Sequence, residues 1–456
     1  MEVIYSVVAF IVAIGILVTI HEFGHFWVAR RLGVKVLRFS VGFGKPLWSK
    51  TAGVDQTEYV IASIPLGGYV KMLDEREGDV AEQDLDRAFN RKSLWRRMAI
   101  VVAGPAFNFL FAIFAYYLIY LSGVTGIKPV LGEIANPSPA YTAGIQQGEV
   151  IVSVNNINTP SWQKAQFTLL EEAVGSDQLT IKLRGEDLQI REKIINIQSL
   201  NLLQEDQINL LKSLGLSVWR PQGLTVVDEV IAGGAGEAGG MLAGDKVVAV
   251  NGVKITSGDQ WVKQIRNNPG LELVVKVMRQ QSIIELIVTP REQVENGQSF
   301  GLVGVRSYTE IPESLRREMR ILEEYGPIEA FTESIDKTWR MSWLTLKVLG
   351  KLVTGEASVK NLSGPITIAK YAGVSARIGL ESFLGFLAII SISLGVLNLL
   401  PVPMLDGGHL FYYFIELFKG SPVSEQTEIF GQKVGMVILF CLMSIAIFND
   451  ISRLVG

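Results

Sequence analysis

Ile14-Gly15-Ile16-Leu17-Val18-Thr19-Ile20-His21-Glu22-Phe23-Gly24-His25 is the stretch that decides the reading of this chain. It closes the first apolar run, which begins at Val3, with an HExxH pentad. On a helix the two histidines of such a pentad lie one turn apart on one face. Both imidazoles can then hold one Zn²⁺, and the Glu between them can take a proton from water. The run before the pentad is long enough to span a bilayer, so the expected zinc site lies inside the membrane. His and Glu are costly there and are functional by default.

The rest of the chain fits a membrane protein. Of 456 residues, 48% are hydrophobic, and the mean hydropathy is +0.31. The net charge of −3 is near neutral and gives no reason to expect nucleic acid as a partner. Cys441 is the single cysteine, which excludes an internal disulfide and any multi-cysteine zinc site. Three histidines are present in all, and the pentad uses two. Four segments read as transmembrane helices: 1–30 with the HExxH pentad, 98–122, 383–410 and 430–452. Arg30, Arg31, Lys35 and Arg38 follow the first, and Arg91, Lys92, Arg96 and Arg97 precede the second. By the positive-inside rule residues 31–97 are cytoplasmic, and both termini lie on the other side with the long middle portion.

That portion contains a repeat. Ala143-Gly-Ile-Gln-Gln-Gly148-Glu149-Val-Ile-Val-Ser-Val-Asn155 aligns with Gly240-Met-Leu-Ala-Gly244-Asp245-Lys-Val-Val-Ala-Val-Asn251. Each copy has a turn, a glycine, an acid and an alternating strand pattern. The pattern resembles bacterial PDZ domains in tandem, α+β modules expected over 128–221 and 222–305. Their grooves either accept an extended chain end or serve only as a steric cover. Residues 306–380 read as amphipathic helices on the membrane surface, with Leu344, Val348 and Leu352 at helical spacing, or as a solvated helical linker.

Within 31–97, Tyr59–Ser63 and Tyr69–Met72 alternate like strands, and Gly67 and Gly68 allow close backbone approach. A membrane-associated β-hairpin here would offer a strand edge. A helical substrate has no exposed amide in its middle, and strand pairing would extend it. Catalytic zinc takes three protein ligands and one open position, so a third ligand is required. Asp406 follows Pro401 and Pro403 and precedes Gly407-Gly408; His409 is the rival. Asn398 could donate a hydrogen bond to substrate backbone or to the developing oxyanion.

HEFGH in the first span, Gly104-Pro-Ala-Phe-Asn108 in the second and Asn398-Leu-Leu-Pro-Val-Pro-Met-Leu-Asp406-Gly resemble the site-2 protease family of intramembrane zinc proteases. The stretches Arg87–Arg97 and Leu362-Ser-Gly-Pro365 strengthen the match. The resemblance implies His21, His25 and Asp406 as zinc ligands and Glu22 as general base. It implies Asn398 and the Gly67, Gly68, Tyr69 and Val70 hairpin beside the substrate backbone. It also implies a bacterial inner-membrane enzyme with periplasmic PDZ domains, acting in regulated intramembrane proteolysis and the envelope stress response. Its substrates would be single-span proteins in the lipid bilayer, typically an anti-sigma factor already cut on its outer side, and signal peptide remnants. A metal transporter using the same three residues, and a PDZ-bearing scaffold with a vestigial site, are the competing classes.

Overall fold

The computed structural model describes residues 2–198, 200, 210–219, 223–295 and 298–455. Among the described residues, four helices are long and apolar enough to cross a membrane. They are α1 (Glu2–Arg31), α2 (Leu94–Leu121), α7 (Leu380–Leu399) and α9 (Glu425–Val455). α1 and α2 approach closely at Gly24, where a Cβ would strike the Ala103 carbonyl of α2. α2 and α7 share a small-residue core of Ala112, Ala115 and Ala388 with Ile392 and Val396.

Between α1 and α2, β1 (Val36–Ala52) and β2 (Thr57–Met72) bend back on themselves. Residues 36–41 pair with 68–72 on one side and with 58–61 on the other, and residues 46–52 pair with 57–62. Two long strands thus make a four-rung antiparallel sheet. Gly42 and Gly44, with φ of 95° and 90°, turn the chain between its first two rungs, and Gly67, with φ of 134°, releases the outer rung. That rung lies along α1, and among the described residues its other edge is unpaired.

The middle of the chain forms two separate sheets, each with one main helix. The first packs β3 (Val150–Val154), β4 (Gln178–Arg184) and β5 (Ile190–Asn196) with α3 (Trp162–Ala173) around Leu169, Ile181 and Leu183. The second has strands in the order β9 (Ser282–Val288), β8 (Leu273–Arg279), β7 (Lys246–Val250), β6 (Leu224–Val230) and β10 (Val305–Glu310). Its helix is α4 (Gly258–Arg266), around Trp261 and Val275. The expected boundary at 221–222 lies outside the described residues.

Three expectations are corrected. β10 pairs with β6, so the second sheet runs to Glu310 and not to 305. The segment 306–380 is not all helix: after β10 come a helix over Glu313–Met319 and a strand over Arg320–Glu323 that pairs with Val124–Ile127, then α5 (Pro327–Val353) and α6 (Pro365–Ile378). Leu344, Val348 and Leu352 of α5 face Val174, Phe167 and Leu170 of the first sheet's unit. A different stripe, Ile328, Phe331, Ile335, Trp339, Leu346 and Val353, is exposed. Finally, no single segment covers 383–410. α7 stops at Leu399, the chain turns through Pro401 and Pro403, and a separate helix, α8 (Asp406–Lys419), begins at Asp406.

Candidate metal centre

The helical spacing of the pentad places His21 and His25 on one face of α1, with Nε2 atoms 3.2 Å apart. Asp406, the first residue of α8, points Oδ2 between them, 3.2 Å from His21 Nε2 and 3.5 Å from His25 Nε2. Among the described residues these three form the one His/Asp/Glu/Cys group able to share a metal ion.

The tautomers follow from the partners. His25 Nδ1 lies 2.8 Å from the Ile100 carbonyl, which only accepts, so Nδ1 carries the proton and Nε2 a lone pair. Asn108 Nδ2 lies 3.2 Å from His21 Nδ1, while Asn108 Oδ1 is buried with no partner. With the amide turned by half, Oδ1 accepts Nδ1–H and His21 Nε2 is freed as a lone pair. Asp406 Oδ2 is also buried without a hydrogen-bond partner. Three acceptors therefore meet with no proton between them, an arrangement that only a cation stabilises.

Their spacing identifies the kind of cation. Donors about 2.0–2.1 Å from a tetrahedral ion sit about 3.3 Å from one another. The 3.2, 3.2 and 3.5 Å separations match that figure. Two neutral imidazoles and one carboxylate suit zinc and leave a fourth position open. Gly104 of α2 makes room, since a Cβ there would run into both imidazoles.

Glu22 projects toward the outer rung of the hairpin sheet. A Cβ on Gly68 would press against Glu22 Cγ, so the rung passes directly beside the carboxylate. Glu22, His25, Asp406 and Val70 line a cavity of about 320 Å³. His409 lines the same cavity but stands outside the three-donor group. Asn398 is half-buried in the last turn of α7, one loop ahead of Asp406. The sequence motif containing Gly104 and Asn108 was noted without a role for either residue, and the Ile100 carbonyl was missed. The Gly104/Asn108 spacing of four, equal to that of the histidines, is the signal that could have revealed a facing pair of helix turns.

Residues 9–442 match the family model for peptidase family M50. The chain belongs to peptidase family M50. It is a zinc metalloprotease. It is 44% identical over 458 residues to the regulator of sigma-E protease RseP of Salmonella typhimurium, covering 100% of both chains. It is 45% identical over 453 residues to the Escherichia coli protein of that name, covering 99% of each. A putative zinc metalloprotease of Vibrio cholerae is 43% identical over 457 residues, covering 99% of this chain and 100% of that one.

Proposed function

We propose that this metalloprotease hydrolyses peptide bonds within the spans of single-span membrane proteins. The observation that carries this reading is the position of the three-donor group: it sits between helices of spanning length, beside a strand edge with an unpaired side. The sheet that supplies the edge exposes Phe43, Leu47, Trp48, Ile61 and Ile64, which suits contact with lipid. His21, His25 and Asp406 hold the zinc, and Glu22 is the general base. Zinc when bound supplies Lewis-acid activation of water and of the scissile carbonyl.

The chain's own groups do the remainder. The edge of residues 67–70 pairs with substrate backbone and holds it extended, so that a bond otherwise locked in a helix lies open beside Glu22. The Glu22 carboxylate accepts a proton from the attacking water and returns it to the leaving amine nitrogen. Asn398 donates to the substrate backbone from the rim. Asn108 and the Ile100 carbonyl keep both imidazoles in the metal-binding tautomer.

The basic flanks of the first two spans place residues 31–97 in the cytoplasm and both sheet units outside, in the inner membrane of a bacterium. The two units, over 128–221 and 222–310, are a PDZ pair that restricts entry to substrates with little mass outside the membrane. An anti-sigma factor already trimmed on its outer side and signal peptide remnants satisfy that restriction, which ties the enzyme to envelope stress signalling.

The test is Glu22→Gln in the purified full chain with a labelled single-span substrate. The amide is nearly isosteric and cannot take the proton. Zinc content stays at one per chain while cleavage falls by about 10²-fold or more. Near-normal turnover by the zinc-loaded variant removes Glu22 from the mechanism.

A further inference from the structure

A second cavity lies away from the metal centre. It measures about 770 Å³ and is bounded by the end of α2, by α3 of the first sheet's unit, by α5 and by the start of α7. From Asn108 to Tyr120 along α2 is about 18 Å at 1.5 Å per residue, so this cavity belongs to the opposite membrane face from the hairpin sheet.

Two features mark it as lying at headgroup level. α5 carries the exposed apolar stripe described above, with Trp339 71% and Val353 87% exposed, as expected of a helix lying in the interface. Tyr116, Tyr120 and Tyr325 line the cavity itself, and tyrosine favours the boundary between apolar and wet layers.

Its basic side chains are paired with one exception. Lys164 Nζ binds Glu333 at 3.0 Å. Arg340 Nε binds Glu171 at 2.7 Å, and Arg340 also lies 3.8 Å from Asp336. Glu323 accepts from the Tyr325 hydroxyl at 2.7 Å. Glu381 stands at the exposed mouth. Lys337 has no carboxylate within ion-pair distance among the described residues. Its Nζ rests 3.2 Å from the centroid of the Phe167 ring. Desolvation pulls its pKa down to about 8, with Arg340 adding to the effect. An ammonium held there is short of an anion.

Part of the wall is apolar: Ile119, Ile378, Leu380 and Ile389. We propose that this cavity is a binding site for one glycerophospholipid, its phosphate on Lys337 and its acyl chains along Ile119, Leu380 and Ile389. A phosphate fits the unpaired cation, and the apolar wall fits the tail that a soluble phosphate lacks. The acids at the mouth, Glu381 and Asp336, suit a headgroup that also carries an amine. The proposal rests on the membrane placement of α5 and is independent of the peptidase reading.

Delipidated full-length protein in detergent, titrated with phosphatidylethanolamine and followed by native mass spectrometry, tests it. One lipid per chain is retained. Lys337→Met, which keeps the stem over Phe167, weakens retention at least tenfold, and Lys337→Arg stays within about threefold. Zinc content and the unfolding midpoint establish that each variant is folded. In the unmutated protein, amine acylation at Lys337 is blocked by the phospholipid and not by equal concentrations of glycerol phosphate or inorganic phosphate. Lys337→Met that retains lipid as wild type does, or acylation unaffected by lipid, overturns the proposal. Protection by free phosphate as complete as by lipid also overturns it, in favour of a soluble anion.

Discussion

The two sides of the metal centre are built differently. The histidine side is fixed by one helix and braced by another: α1 sets the spacing, Gly104 admits the rings, and Asn108 and the Ile100 carbonyl hold their outer nitrogens. The aspartate side is a single carboxylate at the start of α8, a helix that follows a proline-broken turn. α8 packs on α2 through Leu410 and Tyr413 against Met98 and Val101, and through the Arg97–Glu416 ion pair, with both partners 14% exposed. One side is positioned by direct contacts at the ligands, the other at a distance by the docking of a short helix. Damage to the first should abolish the site, whereas damage to the second should loosen it by degrees.

Gly104→Val attacks the braced side and has the largest expected effect. The new side chain occupies the space of both imidazoles, so the purified variant carries no zinc and cleaves nothing. Metal analysis decides it; a zinc-replete variant would mean that α1 and α2 separate easily. Asp406→Ala comes next, removing a donor from the looser side. It loses the metal together with activity, whereas His409→Ala keeps the metal, because His409 lines the cavity without joining the three donors. If the His409 variant is the one that empties, the third ligand is misassigned.

Asn108→Ala leaves all three donors but frees the His21 tautomer. Loss of such a supporting hydrogen bond lowers metal affinity about 10- to 100-fold, measurable by competition with a chelator. Arg97→Gln is the mildest. It removes a charge-assisted pair about 15 Å along α8 from Asp406, and zinc retention should fall only about threefold. The reversed pair, Arg97→Glu with Glu416→Arg, should restore most of it. If Arg97→Gln matches Asn108→Ala or exceeds it, the two sides are equally rigid and the comparison fails.

The histidine side was legible in the sequence because a pentad on an apolar run dictates its own geometry. Asp406 was legible because an acid between prolines and glycines at membrane depth needs a partner. The brace was not, since Gly104 and Asn108 carry no chemistry alone and gain meaning only from the helix they face. The start of α8 was hidden by hydropathy, which runs continuously through 383–410, while the proline turn divides it. In α5 the stripe at Leu344 looked lipid-facing because periodicity marks an apolar face without saying what covers it. The first sheet's unit covers it, and the neighbouring stripe at Trp339 is left exposed.

The break between α7 and α8 also bears on biosynthesis. His21 and His25 leave the ribosome well before Asp406. A growing chain, or one truncated anywhere in between, presents two donors and an unanswered carboxylate base. Two imidazoles alone make a weak, promiscuous metal site. Asp406 arrives only after both sheet units have been made and their turn to fold has come. The three-donor group is therefore withheld from every form of the molecule that lacks α8.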